Sequence, residues 1–166
     1  MKRTAYSKHL RTWVIALGIC IGGSPVLGQA HEQEEVIAES AVPKPVLAAV
    51  KKKYPGGSVL KYEREVEAGK TVYEAKLKWG ERQIDAKYTP EGVLVEEEEI
   101  LREADLPPAV RAAFAKSAHG KAAIEQIERV TKAGQNTPPI YEIEVRIDGK
   151  KIELLYDASG AFLGQE

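Results

Sequence analysis

The chain resembles itself, and any fold it adopts must accommodate that. Val42-Pro43 returns 64 residues later as Leu106-Pro107. At the same spacing Val46 meets Val110, Val50 meets Phe114, Leu60 meets Ile124 and Val66 meets Val130. The spacing then becomes 68: Tyr73-Glu74 matches Tyr141-Glu142, Leu77 matches Val145, Ile84 matches Ile152, Tyr88 matches Tyr156 and Gly92 matches Gly160. One four-residue insertion between Val130 and Tyr141 accounts for the change. The second copy carries a turn-rich stretch there, from Gly134 to Pro139, and loops are where insertions are tolerated. Self-similarity of this kind predicts one supersecondary unit built twice.

Each copy reads alike. Pro43 and Pro107 open a helix, where a missing N–H costs nothing. Val46, Val50 and Tyr54 form one apolar stripe at helical spacing; Val110, Phe114 and Ala118 form the other. Pro55-Gly56-Gly57 stops the first helix and Gly120 the second. Tyr73, Ala75, Leu77 and Trp79 then alternate with charged residues, as do Tyr141, Ile143, Val145 and Ile147. That period of two predicts strands with one dry and one wet face. Gly80-Glu81 suits a type II′ hairpin turn and Asp148-Gly149 a type I′ turn. Thr89-Pro90-Glu91-Gly92 and Asp157-Ala158-Ser159-Gly160 turn each copy into a last strand. The predicted fold class is therefore α+β: two tandem modules, each one helix packed on about four antiparallel strands. The modules are expected over residues 42–99 and 106–166, behind a flexible acidic tail at 31–41. The link from Ile100 to Asp105 is too short for a free linker, so the modules are expected to touch, a shared continuous sheet being one way for them to do so.

The first 30 residues read differently. Lys2, Arg3, Lys8 and Arg11 precede an apolar run from Trp13 to Ile21, and Gly28-Gln29-Ala30 places small residues before a cut between Ala30 and His31. These are the three parts of a secretory signal peptide, and the apolar run is too short for a spanning helix. Export to a periplasmic or extracellular compartment follows, with no stable membrane anchor after cleavage. Taking the leader's four cations from the 24 Lys and Arg leaves 20 against 25 Asp and Glu. An acidic chain does not attract phosphate backbones, which argues against a nucleic-acid partner. Cys20 leaves with the leader, so packing alone must hold the mature fold.

The residues resemble the PepSY-like family, including its tandem β-lactamase-inhibitor-like proteins. The likeness rests on Leu106-Pro107-Pro108-Ala109-Val110, Lys53-Tyr54-Pro55-Gly56 and Tyr141-Glu142-Ile143-Glu144-Val145. Asp148-Gly149-Lys150-Lys151 and Leu155-Tyr156-Asp157-Ala158-Ser159-Gly160 add to it. This resemblance covers the chain from about Val42 onward and implies an exported protein whose default activity is protein binding. Members include propeptide segments that restrain secreted metallopeptidases, and similar tandem modules inhibit β-lactamases through a concave sheet surface. The chain departs from those inhibitors in having no cysteine after the leader. No inhibitory residue carries across.

Nothing in the sequence selects catalytic machinery. There is no Gly-x-Ser-x-Gly elbow and no phosphate-cradling glycine loop, and after the leader no cysteine nucleophile. No catalytic, cofactor or metal residue is assigned. His31 and His119 could ligate copper in principle, but one lies on the tail and the other at a helix end. The run Glu96–Glu99 continues a strand, so its carboxylates alternate between faces and cannot all reach one ion. It reads instead as a solvated strand end that discourages edge pairing. Lys51, Lys52 and Lys53 oppose the first helix dipole. Tyr62, Trp79 and Leu155 are candidates for a partner surface: the first two sit nearest strand ends, and Leu155 points opposite to its apolar neighbours. The expected function is a non-enzymatic exported binding module that restrains or inhibits an exported hydrolase. The competing expectation is an envelope protein that binds a small ligand or metal ion.

Overall fold

The computed structural model describes residues 34–67 and 69–165; the leader and the cut between Ala30 and His31 lie outside the described residues. The expectation of two tandem α+β modules is corrected. The structure is one nine-stranded antiparallel sheet whose strands follow chain order, with two short helices. The strands are β1 (Glu34–Ile37), β2 (Ser58–Glu67), β3 (Lys70–Trp79), β4 (Arg82–Tyr88), β5 (Leu94–Ile100), β6 (Ile124–Lys132), β7 (Ile140–Ile147), β8 (Lys150–Asp157) and β9 (Phe162–Gln165). Helix α1 (Lys44–Lys53) joins β1 to β2, and α2 (Pro108–Lys116) joins β5 to β6. The sheet does not divide because β5 pairs with β4 on one side and with β6 on the other. The short stretch from Ile100 to Asp105 cannot release the second half from the first.

Within the acidic stretch expected as a loose tail, residues 34–41 take up ordered structure. Glu34–Ile37 form β1, antiparallel to β2, and Glu39–Ala41 make a 3₁₀ turn into α1. What holds it is that Ile37 packs on the core and Glu35 meets Arg64 in an ion pair.

Each helix lies against one face of the sheet. Val46 and Val50 of α1 join Tyr54, Ala75, Leu77, Ile84 and Tyr88 in one buried cluster. Val110 and Phe114 of α2 join Ile127, Ile143, Val145, Leu154 and Tyr156 in another. Pro43 and Pro107 take the position just before each helix, and their carbonyls accept N–H bonds from Leu47 and Arg111. The hairpin turns have the backbone their sequences demand. Asp148 and Gly149 both have positive φ, whereas in the other turn Gly80 has positive φ and Glu81 does not.

One detail of the register differs from the sequence alignment. Both β2 and β6 carry a bulge, between Val59 and Lys61 and between Ile124 and Gln126. Val59 faces Leu77 as Ile124 faces the matching Val145, so the spacing along this strand pair is 65 rather than 64. Val59, not Leu60, holds the place of Ile124, Glu65, not Val66, holds that of Val130, and Leu60 points outward at 55 % exposure. The bulge is common to both halves, so the expected single insertion of four is corrected to one residue between α2 and β6 and three between β6 and β7.

Candidate protein-binding surface

The alternation that turns apolar residues toward the helices turns charged ones to the far face. The registers place Glu63 opposite Glu74, Lys76 opposite Asp85, Lys87 opposite Glu96, Glu98 opposite Val130, and Glu128 opposite Glu142. Few cations serve many acids here. The ammonium of Lys76 lies 2.7 Å from Glu63, 3.0 Å from Glu74 and 3.9 Å from Asp85. That of Lys87 lies 3.4 Å from Glu65, 3.7 Å from Glu96 and 4.0 Å from Glu98. Lys151 bridges Glu144 and Glu153 at 2.8 and 2.7 Å, and Lys132 pairs with Glu96. Each of these first three lysines is shared among two or three carboxylates, so the face keeps an acidic excess.

The proton affinities follow this packing. Burial pushes the Glu63 carboxyl up, but hydrogen bonds with Glu34, Lys61, Lys76 and Glu74 outweigh it and bring the group down to about 2. Glu34, sharing that site, is pushed up by burial, by its hydrogen bond to Glu63 and by the charge of Glu63. Two groups of three carboxylates, Glu34–Glu63–Glu65 and Glu74–Asp85–Glu98, bring oxygens within 4.8 Å of one another. Lysine ammonium groups stand against both and offset part of the repulsion between the carboxylates.

The run Glu96–Glu99 is corrected from a solvated strand end to the middle strand of the sheet. Glu96 and Glu98 face the far side. Glu97 and Glu99 face the helices, where Tyr54 Oη donates to Glu97 at 2.7 Å and the Lys53 ammonium lies 3.0 Å away. Burial raises the Glu97 carboxyl, yet the bonds from Tyr54 and Lys53 leave it below the ordinary range. The Tyr54 hydroxyl is in turn pushed up by burial and by Glu97. Arg82 grips Glu99 with two bonds of 2.7 and 2.8 Å, and Arg129 reaches the same carboxylate from β6. A strand with a cation for each carboxylate can sit at the centre of a sheet. The sequence alone does not show which cations those are.

The three sequence candidates fall on two faces. Tyr62 is 7 % exposed in the core beneath α1. Trp79 stacks edge-on against Tyr54, donates Nε1–H to the Pro55 carbonyl at 3.1 Å and lies under the Arg82 guanidinium. Leu155 is on the far face, buried opposite Gly164 and Glu142. The structure does not bring them together. Sequence reasoning passed over the far-face acids because each is unremarkable as the polar member of an alternating strand. Their shared lysines become visible only once strand order is known. His119 lies in the turn after α2, its backbone N–H donating to Ser117 Oγ at 3.2 Å, and His31 lies outside the described residues. Among the described residues no helix is long and apolar enough to cross a membrane.

The fold is thus a single antiparallel sheet with helices on one face and a charged lattice on the other. The family comparison is more specific. The "Peptidase propeptide and YPEB domain" model, PepSY, matches residues 44–88, and the "Putative beta-lactamase-inhibitor-like, PepSY-like" model matches residues 94–164. The chain is therefore similar to PepSY over its first described half and to PepSY-like proteins over its second. Neither family model describes a catalytic domain.

Solved structures share the fold. A protein of Bacteroides eggerthii described as "putative periplasmic" superposes with a TM-score of 0.64 at 23% identity, over 75% of this chain and 88% of its own. A BLIP-like protein of Bacteroides fragilis gives 0.61 at 23% identity, over 74% and 83%. A DUF2874 family protein of Bacteroides uniformis gives 0.64 at 20% identity, over 75% and 88%. Comparison with curated protein sequences gives no match.

Proposed function

We propose that the protein is an exported, non-enzymatic binding module whose far sheet face docks a basic surface of an exported hydrolase and restrains it. The observation that carries this is the acidic excess of the far face, where Lys76, Lys87 and Lys151 are each divided among two or three carboxylates. Such a face attracts a cationic partner and rejects an acidic one. The propeptide and inhibitor descriptions of the matching family models support restraint of a hydrolase as the purpose. Cleavage between Ala30 and His31 belongs to the same reading, as does descent of the two halves from one duplicated unit.

The test uses the protein recovered from the exported fraction, whose first residue should be His31. It should capture a hydrolase in near-equal amount, lower that enzyme's activity, and release it as salt rises. Glu34→Lys with Glu144→Lys should abolish capture while the fold, read by circular dichroism, persists. Capture that survives both salt and charge reversal would remove the far face from the account. The carboxylate groups on the same face favour one other reading, a cation site. No protein partner, together with a melting temperature that rises with calcium, would replace the proposal with that one.

A further inference from the structure

Strand β5 does two jobs that elsewhere in the molecule are divided between β1 and β9. Its first part follows the Gly92 turn and pairs with β4, with Leu94 opposite Tyr88 next to a register break. Strand β9 does the same on β8: it follows the Gly160 turn, with Phe162 opposite Tyr156 next to a register break. The second part of β5 pairs with β6, placing Glu99 opposite Arg129, and leads through a 3₁₀ turn into α2. Strand β1 pairs with β2 in the same way, placing Glu35 opposite Arg64, and leads through a 3₁₀ turn into α1. Both Glu–Arg couples are ion-paired.

What each half-strand leaves uncovered is what the other would cover. Strand β9 pairs only with Leu154–Tyr156, so the outer edge of Lys150–Glu153 has no strand on it among the described residues. The equivalent edge of β4, Gln83–Asp85, is covered by the second part of β5. Strand β1 pairs only with Tyr62–Glu65, leaving Val66 and Glu67 without an outer neighbour among the described residues. Their equivalents in β6, Thr131 and Lys132, are covered by the first part of β5. Exposed apolar side chains gather on these edges. Val36, Leu60, Val66, Phe162 and Leu163 lie there, at exposures from 37 % to 63 %.

We propose that the β8–β9 edge of one copy pairs with the β1–β2 edge of another, rebuilding between copies the β5 junction that joins the two halves within one. In that junction β9 of the first copy and β1 of the second lie end to end, between β8 of the first and β2 of the second. The occupant is a second copy because the template is the chain's own internal seam, charge included. Arg82 on β4 grips Glu99 in the internal seam. Lys150 holds the Arg82 position on β8, and Glu35 holds the Glu99 position on β1. The contact is head-to-tail, so each copy that joins presents a fresh edge and the product lengthens with concentration. Unpaired strand edges are the templates through which such growth runs.

The test measures molar mass by light scattering and sedimentation against concentration, on the protein as its own cells make it. The unaltered protein should grow from monomer to dimer and longer species as concentration rises. Glu35→Lys alone should stay monomeric, since the introduced ammonium would meet that of Lys150. Lys150→Glu alone should also stay monomeric, since the introduced carboxylate would meet that of Glu35. Mixing the two variants restores opposite charge at both contacts and should return the concentration-dependent growth. A monomer at every concentration would overturn the proposal. So would growth equally strong in each single variant, or failure of the mixture to assemble while both variants keep the native circular dichroism spectrum.

Discussion

At the scale of single residues, two turn glycines leave no room for any side chain. Gly92 and Gly160 have positive φ, and a Cβ on either would meet a helix carbonyl, Pro45 O at 2.5 Å or Ala109 O at 2.6 Å. Each thus combines a backbone shape that L side chains resist with a contact that has no room for one. Gly160→Ala should cost about 2 kcal/mol or more, combining strain and overpacking, and denaturant unfolding would read it as a lowered midpoint with unchanged slope. Gly134→Ala, with positive φ but nothing within 4 Å, should cost less. The turn glycines were legible in the sequence because Gly after Asp-Ala-Ser or Thr-Pro-Glu is a local signal. Their contact with the helix was not, since it depends on where α1 and α2 come to lie. Tyr62, Trp79 and Leu155 show the same limit. Alternation tells which residues share a face, but strand-end position did not tell which of them solvent reaches.

At the scale of elements, β5 decides the architecture. Its four consecutive glutamates looked like an edge because a strand interior seldom accepts them. The cations that make them acceptable come from α1, β4 and β6. Glu99 is the joint between halves, held by Arg82 on one side and Arg129 on the other. Glu99→Ala would leave two guanidinium groups facing each other. Both are partly solvated, which trims the penalty to about 1–2 kcal/mol. Thermal unfolding should fall by several degrees and remain a single transition, because the backbone ladder on both sides of β5 survives. Two separate transitions would mean that the side chains, not the ladder, couple the halves. The helices, the hairpins and their turns were readable from local pattern. The short link between the halves leaves a shared sheet open, but the β1 strand was not readable, because four residues are too few to show an alternation. It is placed by Ile37 on the core and Glu35 on Arg64.

At the scale of the whole molecule, the charged lattice makes stability depend on pH. Glu63 and Glu97 both titrate below the ordinary carboxylate range in the folded state. A carboxyl depressed on folding contributes stability above its unfolded pKa, and that contribution disappears as pH falls through the folded value. The melting temperature should therefore drop between about pH 4.5 and the pH near 2 at which Glu63 protonates. Glu34, pushed upward, works in the opposite direction and offsets part of the fall. Glu97→Gln should flatten the acid slope, and a slope unchanged by that substitution would locate the pH sensitivity elsewhere.

Strand order in the sheet is the order of the strands in the chain, from β1 to β9 without a crossover. Each strand therefore finds its partner already made when it arrives, or waits only for the next strand. A chain that enters its compartment end first, from a ribosome or through a translocation channel, can add strands in the sequence in which they emerge. Pairing between neighbours in sequence carries a small loop-closure cost, which favours quick folding for a protein so rich in strands. The growing sheet would expose a single unfinished edge at each stage, and the next strand to appear is the one that covers it.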